Sequence, residues 1–148
     1  MIVINLVKIP VKTLMINCGR RLLCSEVGLN TYLRLSSETL ESLNDRFSEL
    51  IEDHDSLMGA DTTLADGVLT VKLNEHGTYV INKQTPNQQI WLSSPVSGPY
   101  RYDIFRNSWV YKHTGETLHA LLDRELTLFI QTDPKFRECF MGEMGDIL

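Results

Sequence analysis

Apolar positions between Thr31 and about Asp55 recur at helical spacing, with Leu40, Leu43, Phe47, Leu50 and Ile51 on one face. On the opposite side Glu38, Glu41, Asp45, Glu49 and Glu52 fall within an arc of about 80° at 100° per residue. From Gly67 the period shortens to two, and β-branched and aromatic residues predict strands over 68–73, 78–84, 89–93, 101–105 and 109–112. The breaks between them are too short for crossover helices, so the strands pair as an antiparallel meander. A second helix is expected after Thr114 as N-cap, with Leu118, Leu121, Leu122, Leu126 and Phe129 on one face, and Asp133-Pro134 ends it. Two one-faced helices covering one face of a single antiparallel sheet give an α+β two-layer sandwich. The other sheet face is left to solvent or a partner. Residues 134–148 carry Phe136, Phe140 and Met141, and two readings stand for this tail: packing along the groove between the helices, or disorder.

Length and composition narrow the class. A chain of 148 residues with 43% hydrophobic positions can build one core without a disulfide framework or a structural metal. The three cysteines, Cys18, Cys24 and Cys139, have neither zinc spacing nor a secreted pairing pattern. A net charge of -5 without a basic patch argues against nucleic acid, and no apolar run is long enough to span a membrane. Charge is nonetheless uneven. Residues 1–25 hold Lys8, Lys12, Arg20 and Arg21 and no acid, which resembles a mitochondrial transit peptide with a processing site near Arg21–Ser25. The rival reading is a disordered or edge-strand N-terminus. The domain proper is then expected over 26–133.

Between Glu38 and Asp66 stand nine acids, including Asp53, Asp55 and Asp61, against one base, Arg46. Six like-charged pairs at helical spacing would cost about 1 to 3 kcal/mol before salt screening. A solubilising surface is one reading of this ridge; cation binding or docking of a basic partner are the others. Oxygen ligands pointing outward in a row cannot wrap one ion, so binding would be weak, and the donors do not select among hard divalent metals. An EF-hand is excluded because Leu57, Met58 and Leu64 occupy ligand or glycine positions counted from Asp53.

Phosphate-loop, dinucleotide, zinc-protease and serine-hydrolase motifs are absent, so no catalytic residue is assigned. His54 and His76 read as solvated loop residues, His113 as a strand end, and His119 as a helix residue on the surface or satisfied in the core. In the strand over 89–93, alternation places Ile90 and Leu92 on one face and Gln89, Trp91 and Ser93 on the other. If the aliphatics face the helices, Trp91 is exposed. Asn82, Gln84 and Arg101 can join it, which is the composition of a protein-binding hot spot. A Trp packed under a loop is the alternative.

The run from Gly67 to Leu73, the long motif Gly77-Thr78-Tyr79-Val80-Ile81-Asn82-Lys83-Gln84-Thr85-Pro86-Asn87-Gln88-Gln89-Ile90-Trp91-Leu92-Ser93-Ser94-Pro95, then Arg101-Tyr102-Asp103, Trp109-Val110-Tyr111 and Leu118-His119 resemble the frataxin family, in its eukaryotic, mitochondrial branch. The resemblance implies an iron-binding protein of the mitochondrial matrix that assists iron–sulfur cluster assembly. It would activate a cysteine desulfurase and scaffold complex, deliver Fe(II), or both. It implies weakly bound iron (Fe2+/Fe3+) on a ridge falling on Glu38, Glu41, Asp45, Glu49, Glu52 and Asp61, to which Asp53 is added from the same acidic run. It implies a docking surface on Asn82, Asn87, Gln89, Trp91 and Arg101. Weak ferroxidase activity, iron storage and iron-dependent oligomers of an otherwise monomeric protein also come from the family; a generic acidic binding module is the reading from another class. Three departures stand out: Ile104 and Phe105 follow Arg-Tyr-Asp where the family usually has Trp, Ser48 replaces a usual acid, and the acid-rich loop shrinks to Met58-Gly59-Ala60-Asp61.

Overall fold

The computed structural model describes residues 27–142. The basic leader and the last six residues lie outside them, and with them the transit-peptide reading. Helix α1 (Leu29–Asp53) is followed by strands β1 (Asp61–Ala65), β2 (Val68–Lys72), β3 (Thr78–Gln84), β4 (Gln89–Ser94), β5 (Gly98–Phe105) and β6 (Ser108–Val110), then helix α2 (Leu118–Ile130). The six strands pair antiparallel in sequence order, and both helices lie on one face of the sheet.

The core follows from the two periodicities. On α1, Tyr32, Leu40, Leu43, Phe47 and Leu50 are buried, and they meet Leu69, Val71, Tyr79, Ile81, Ile90, Leu92 and Tyr102 from alternate positions of the strands. Ile51 is only half-buried, at the rim of that face. Trp109 closes the β6 side, its indole N–H donating to the Thr39 hydroxyl at 2.8 Å and its ring meeting Tyr32 edge-on at 6.2 Å.

Strand β1 was not expected. Its signal was the Asp66-Gly67 pair, whose φ values of 52° and 73° make the tight turn of a two-residue hairpin into β2. Its five residues, Asp61-Thr62-Thr63-Leu64-Ala65, carry too little β pattern to mark a strand by themselves. Arg106-Asn107, with φ of 50° and 60°, forms the same turn between β5 and β6. The last strand is shorter than its pattern suggests. Past Val110 the main chain turns at Tyr111, where the Thr114 and Gly115 amides both bond to the Tyr111 carbonyl.

The N-cap of α2 is Thr117, not Thr114: the Thr117 hydroxyl accepts from the Ala120 amide at 3.1 Å, whereas Thr114 accepts from Glu116 in the preceding turn. Phe129 lies at the edge of the helix's apolar face, half-exposed and stacked on His76 at 4.4 Å between ring centres. His119 is also displaced from expectation. It is fully buried, with neither ring nitrogen hydrogen-bonded to a described residue, and burial pushes its pKa down to about 4 against a weaker opposing pull from the Phe140 main chain.

After α2 the chain crosses back between the helices. Phe136 is buried against Phe47 at 4.7 Å, Arg46 donates to the Pro134 carbonyl at 2.8 Å, and the Phe140 amide donates to the Ser42 hydroxyl at 3.0 Å. Asp123 receives the Phe136 and Arg137 amides at 2.6 and 3.2 Å, which anchors the short turn Phe136–Glu138 to α2. Cys139 is a free, half-buried thiol.

Candidate functional site

The exposed sheet face and the α1 ridge sit on different parts of the molecule and are built differently. On the sheet, the pairing register sets Asn82 on β3 opposite Trp91 on β4, and Trp91 opposite Arg101 on β5. Because Ile90 and Leu92 are buried beneath the helices, alternation turns this row outward. Trp91 is half-buried. The Arg101 guanidinium lies over its ring, 4.6 Å from the centre, and its indole N–H donates to Gln89 Oε1 at 2.9 Å. Gln89 in turn donates through Nε2 to Asp103 Oδ1 at 2.9 Å, and Asp103 is buried. The indole is therefore clamped from above by a cation and from its edge by an amide that is itself held.

Deeper groups hold the strands that carry this row. The Tyr32 hydroxyl of α1 donates to the Gln89 carbonyl at 2.7 Å, pinning the start of β4. At its other end, the buried Glu125 carboxylate of α2 accepts from the Tyr79 hydroxyl at 2.8 Å, from Ser94 at 2.6 Å and from the Ser97 hydroxyl. Ser94 also accepts the Val96 and Ser97 amides, so one carboxylate ties α2, β3 and the β4–β5 turn together. Burial, with the Glu125 carboxylate adding to it, raises the Tyr79 pKa strongly, so the phenol remains a donor. Sequence reading missed this cluster, for a lone Glu in an apolar helix face gives no sign of which hydroxyls will meet it.

Asn87 ends the short turn Thr85–Asn87, and Gln88 in the left-handed region (φ 52°) reverses the chain into β4. Asn87, Gln89 and Arg101 then line one open cleft of about 470 Å³ together with Pro99, Tyr111, Lys112 and His113. Asn82 and Trp91 are not in its walls. Lys112 and His113 were not among the expected site residues. Lys112 and His113 lie in the turn just past Val110, which pairs with Asp103, so they reach the cleft only through the pairing of β5 with β6, which local pattern does not supply.

The ridge residues Glu41, Asp45, Glu49, Glu52 and Asp53 are exposed along α1, and Glu38 is partly so. Two are neutralised, contrary to expectation. Arg34 meets Glu38 at 3.3 Å one turn upstream, outside the counted run, and Arg46 meets Glu49 at 2.7 Å. Both pairs are solvent-exposed on the carboxylate side and contribute about 0.5 kcal/mol each at most. Asp61 opens β1, in register with Lys72, and the Thr62 hydroxyl bonds Asn44 at 3.0 Å, which seats β1 on α1 beside the ridge. No three carboxylate, thiol or imidazole groups converge on a common point among the described residues. The ridge suits a cation held as labile cargo by one or two carboxylates with water completing its shell.

Comparison with known proteins places this architecture. A family model described as a frataxin-like domain matches residues 25–132. The chain is 50% identical over 119 residues to the mitochondrial frataxin homolog of Drosophila melanogaster, a match covering 73% of this chain and 63% of the fly protein. It is 44% identical over 120 residues to mitochondrial frataxin of Caenorhabditis elegans, covering 79% of this chain and 88% of the worm protein. Among solved structures, trimeric frataxin from the yeast Saccharomyces cerevisiae complexed with ferrous ion superposes with a TM-score of 0.61 at 41% identity, covering 66% of this chain and 87% of that one. The helix–sheet–helix order, the outward row on the bare sheet face and these matches agree: the chain belongs to the frataxin family.

Proposed function

We propose that this chain is a mitochondrial iron-binding protein of the matrix that assists iron–sulfur cluster assembly, acting mainly as an activator docked on a cysteine desulfurase and scaffold complex. The observation that carries this reading is the Asn82–Trp91–Arg101 row, whose indole is already held in place before any partner arrives. A pre-ordered aromatic with a stacked guanidinium, on a sheet face that neither α1 nor α2 covers, loses little side-chain freedom on association and so suits a docking hot spot. Asn87 and Gln89 extend the row toward the cleft. Desulfurase turnover with the purified complex tests it: Trp91→Ala and Arg101→Ala should each lower the activation, and activation equal to that of the unaltered protein rejects the reading.

A second reading, a ferroxidase or iron store, draws on the ridge, where Glu41, Asp45, Glu52, Asp53 and Asp61 form no ion pair among the described residues. Exposed, unshared carboxylates with no converging site favour weak binding of Fe(II) as cargo over a fixed catalytic centre. Oxygen consumption with Fe(II) should fall when Glu41, Asp45 and Glu49 are neutralised together; an unchanged rate removes the ridge from any oxidation.

A further inference from the structure

We infer that the cleft beside β6 is an acceptor for a carboxylate-rich peptide segment of a protein partner, with Arg101 and Lys112 as its charged walls. The argument begins with sign. In a protein of net charge -5, the cleft is lined by two formal cations and an imidazole, and by no carboxylate. Neither Arg101 nor Lys112 takes part in an ion pair among the described residues, so their charge is available to a ligand. Two acids lie near the cleft in register: Asp103 is buried and holds the Gln89 amide, and Glu116, whose carbonyl accepts from the Tyr111 amide at 2.9 Å, has its carboxylate paired with Arg124 at 3.1 Å.

Shape points to a peptide. The volume of about 470 Å³ is open, not enclosed, and takes a few side chains of an extended segment. Its other walls are Asn87 and Gln89, amides suited to main-chain groups, and Tyr111, whose ring packs against His113 at 5.0 Å and offers an apolar flank. The first turns of α1 and α2 are not among the residues that line it, whereas an inorganic or nucleotide phosphate site would favour a helix N-terminus. The cleft also shares Arg101 with the Trp91 row, so a partner seated on that row brings a neighbouring strand or tail to Lys112. This last step rests on the docking reading above. Arg101 then acts twice, stacked on the indole and facing the incoming carboxylates, while Lys112 supplies a charge that steers the approach.

The test is an NMR titration of the isotopically labelled full chain with a short soluble peptide of alternating glutamate and serine. Shifts should concentrate at Asn87, Gln89, Arg101 and Lys112 and weaken as salt is added. Lys112→Glu should weaken binding roughly tenfold, whereas Lys72→Glu, an equal charge change at an exposed site on β2, should change it less than about twofold. Shifts located elsewhere, or affinity unaltered by Lys112→Glu, overturn the inference. So does inorganic phosphate at matched ionic strength reproducing the peptide shifts, which marks a plain anion pocket. Tighter shifts from an unlabelled second copy of the chain, through its own acidic ridge, make self-association the occupant and overturn it too. Because the readout needs no desulfurase, peptide binding lost in Lys112→Glu with no desulfurase activation by the unaltered protein rejects the docking reading and leaves the cleft standing.

Discussion

The acidic ridge and the bare sheet face are both polar surfaces, yet one is loose and the other is held. On α1 the carboxylates are exposed, and among the described residues they make two weak pairs, to Arg34 and Arg46, and do not converge. On the sheet, Trp91 is fixed by Gln89 and Arg101, Gln89 by Asp103 and Tyr32, and the far end of β4 by Glu125. A loose array can exchange a cation quickly but selects poorly among cations. A held array surrenders little entropy on docking and can discriminate partners by shape. The difference lies in what stands behind each surface: water around the ridge side chains, a buried hydrogen-bond network behind the row.

Removing that backing should have the largest effect. Glu125→Ala strands the Tyr79 and Ser94 hydroxyls in the core, releases the exposed Ser97 hydroxyl to solvent, and is expected to cost about 3 kcal/mol in urea unfolding. A loss below about 1 kcal/mol would mean that the row is not supported from below. Acid should loosen the layer under the sheet next. Unfolded His119 takes up a proton below about pH 6.5, whereas the folded group resists until about 4. The unfolded state thus binds more protons between these values, and stability, complete above that window, is lost by up to roughly 3 kcal/mol as pH falls through it. His119→Leu should flatten this segment of the stability–pH curve relative to the unaltered chain, and parallel curves would refute the assignment.

A smaller change probes the clamp itself. Gln89→Ala frees the indole N–H and should reduce desulfurase activation by roughly 1 kcal/mol in apparent affinity, together with a shifted Trp91 indole resonance. An unmoved resonance would show that Arg101 alone orders the ring. The slightest effects belong to the ridge. Asp45→Asn should stabilise the fold by a few tenths of a kcal/mol at low salt, because it relieves Glu41 and Glu49 one turn away. Glu49→Gln should give close to nothing, since relief of Asp45 is offset by the lost Arg46 partner. Equal gains from both would mean that the Arg46 pair does not form in solution.

Much of this was legible in the chain because it depends on local period. The apolar stripe of α1, the alternation in β2 to β5 and the outward placement of Trp91 follow from 3.6- and 2-residue repeats, whose physics needs no distant partner. Strand β1 failed that test: its own pattern is weak, and its pairing with β2 is imposed by the Asp66-Gly67 turn. The expected cap at Thr114 lost to Thr117 because Tyr111 turns the chain before the helix starts. The ridge was legible as composition, and the Arg34 pair with Glu38 is local too, at i,i+4, but a count of charges that begins at Glu38 passes over it.

By itself, the order of residues determined the layers, the buried faces, the excess of negative charge on one helix and the family likeness, because each is a property of neighbours along the chain. Tertiary structure alone decided which hydroxyls share the Glu125 carboxylate, that His119 is buried, and that Lys112 and Arg101 line one cleft. Those outcomes depend on strand register and helix docking, where groups dozens of residues apart meet only after the chain has closed on itself.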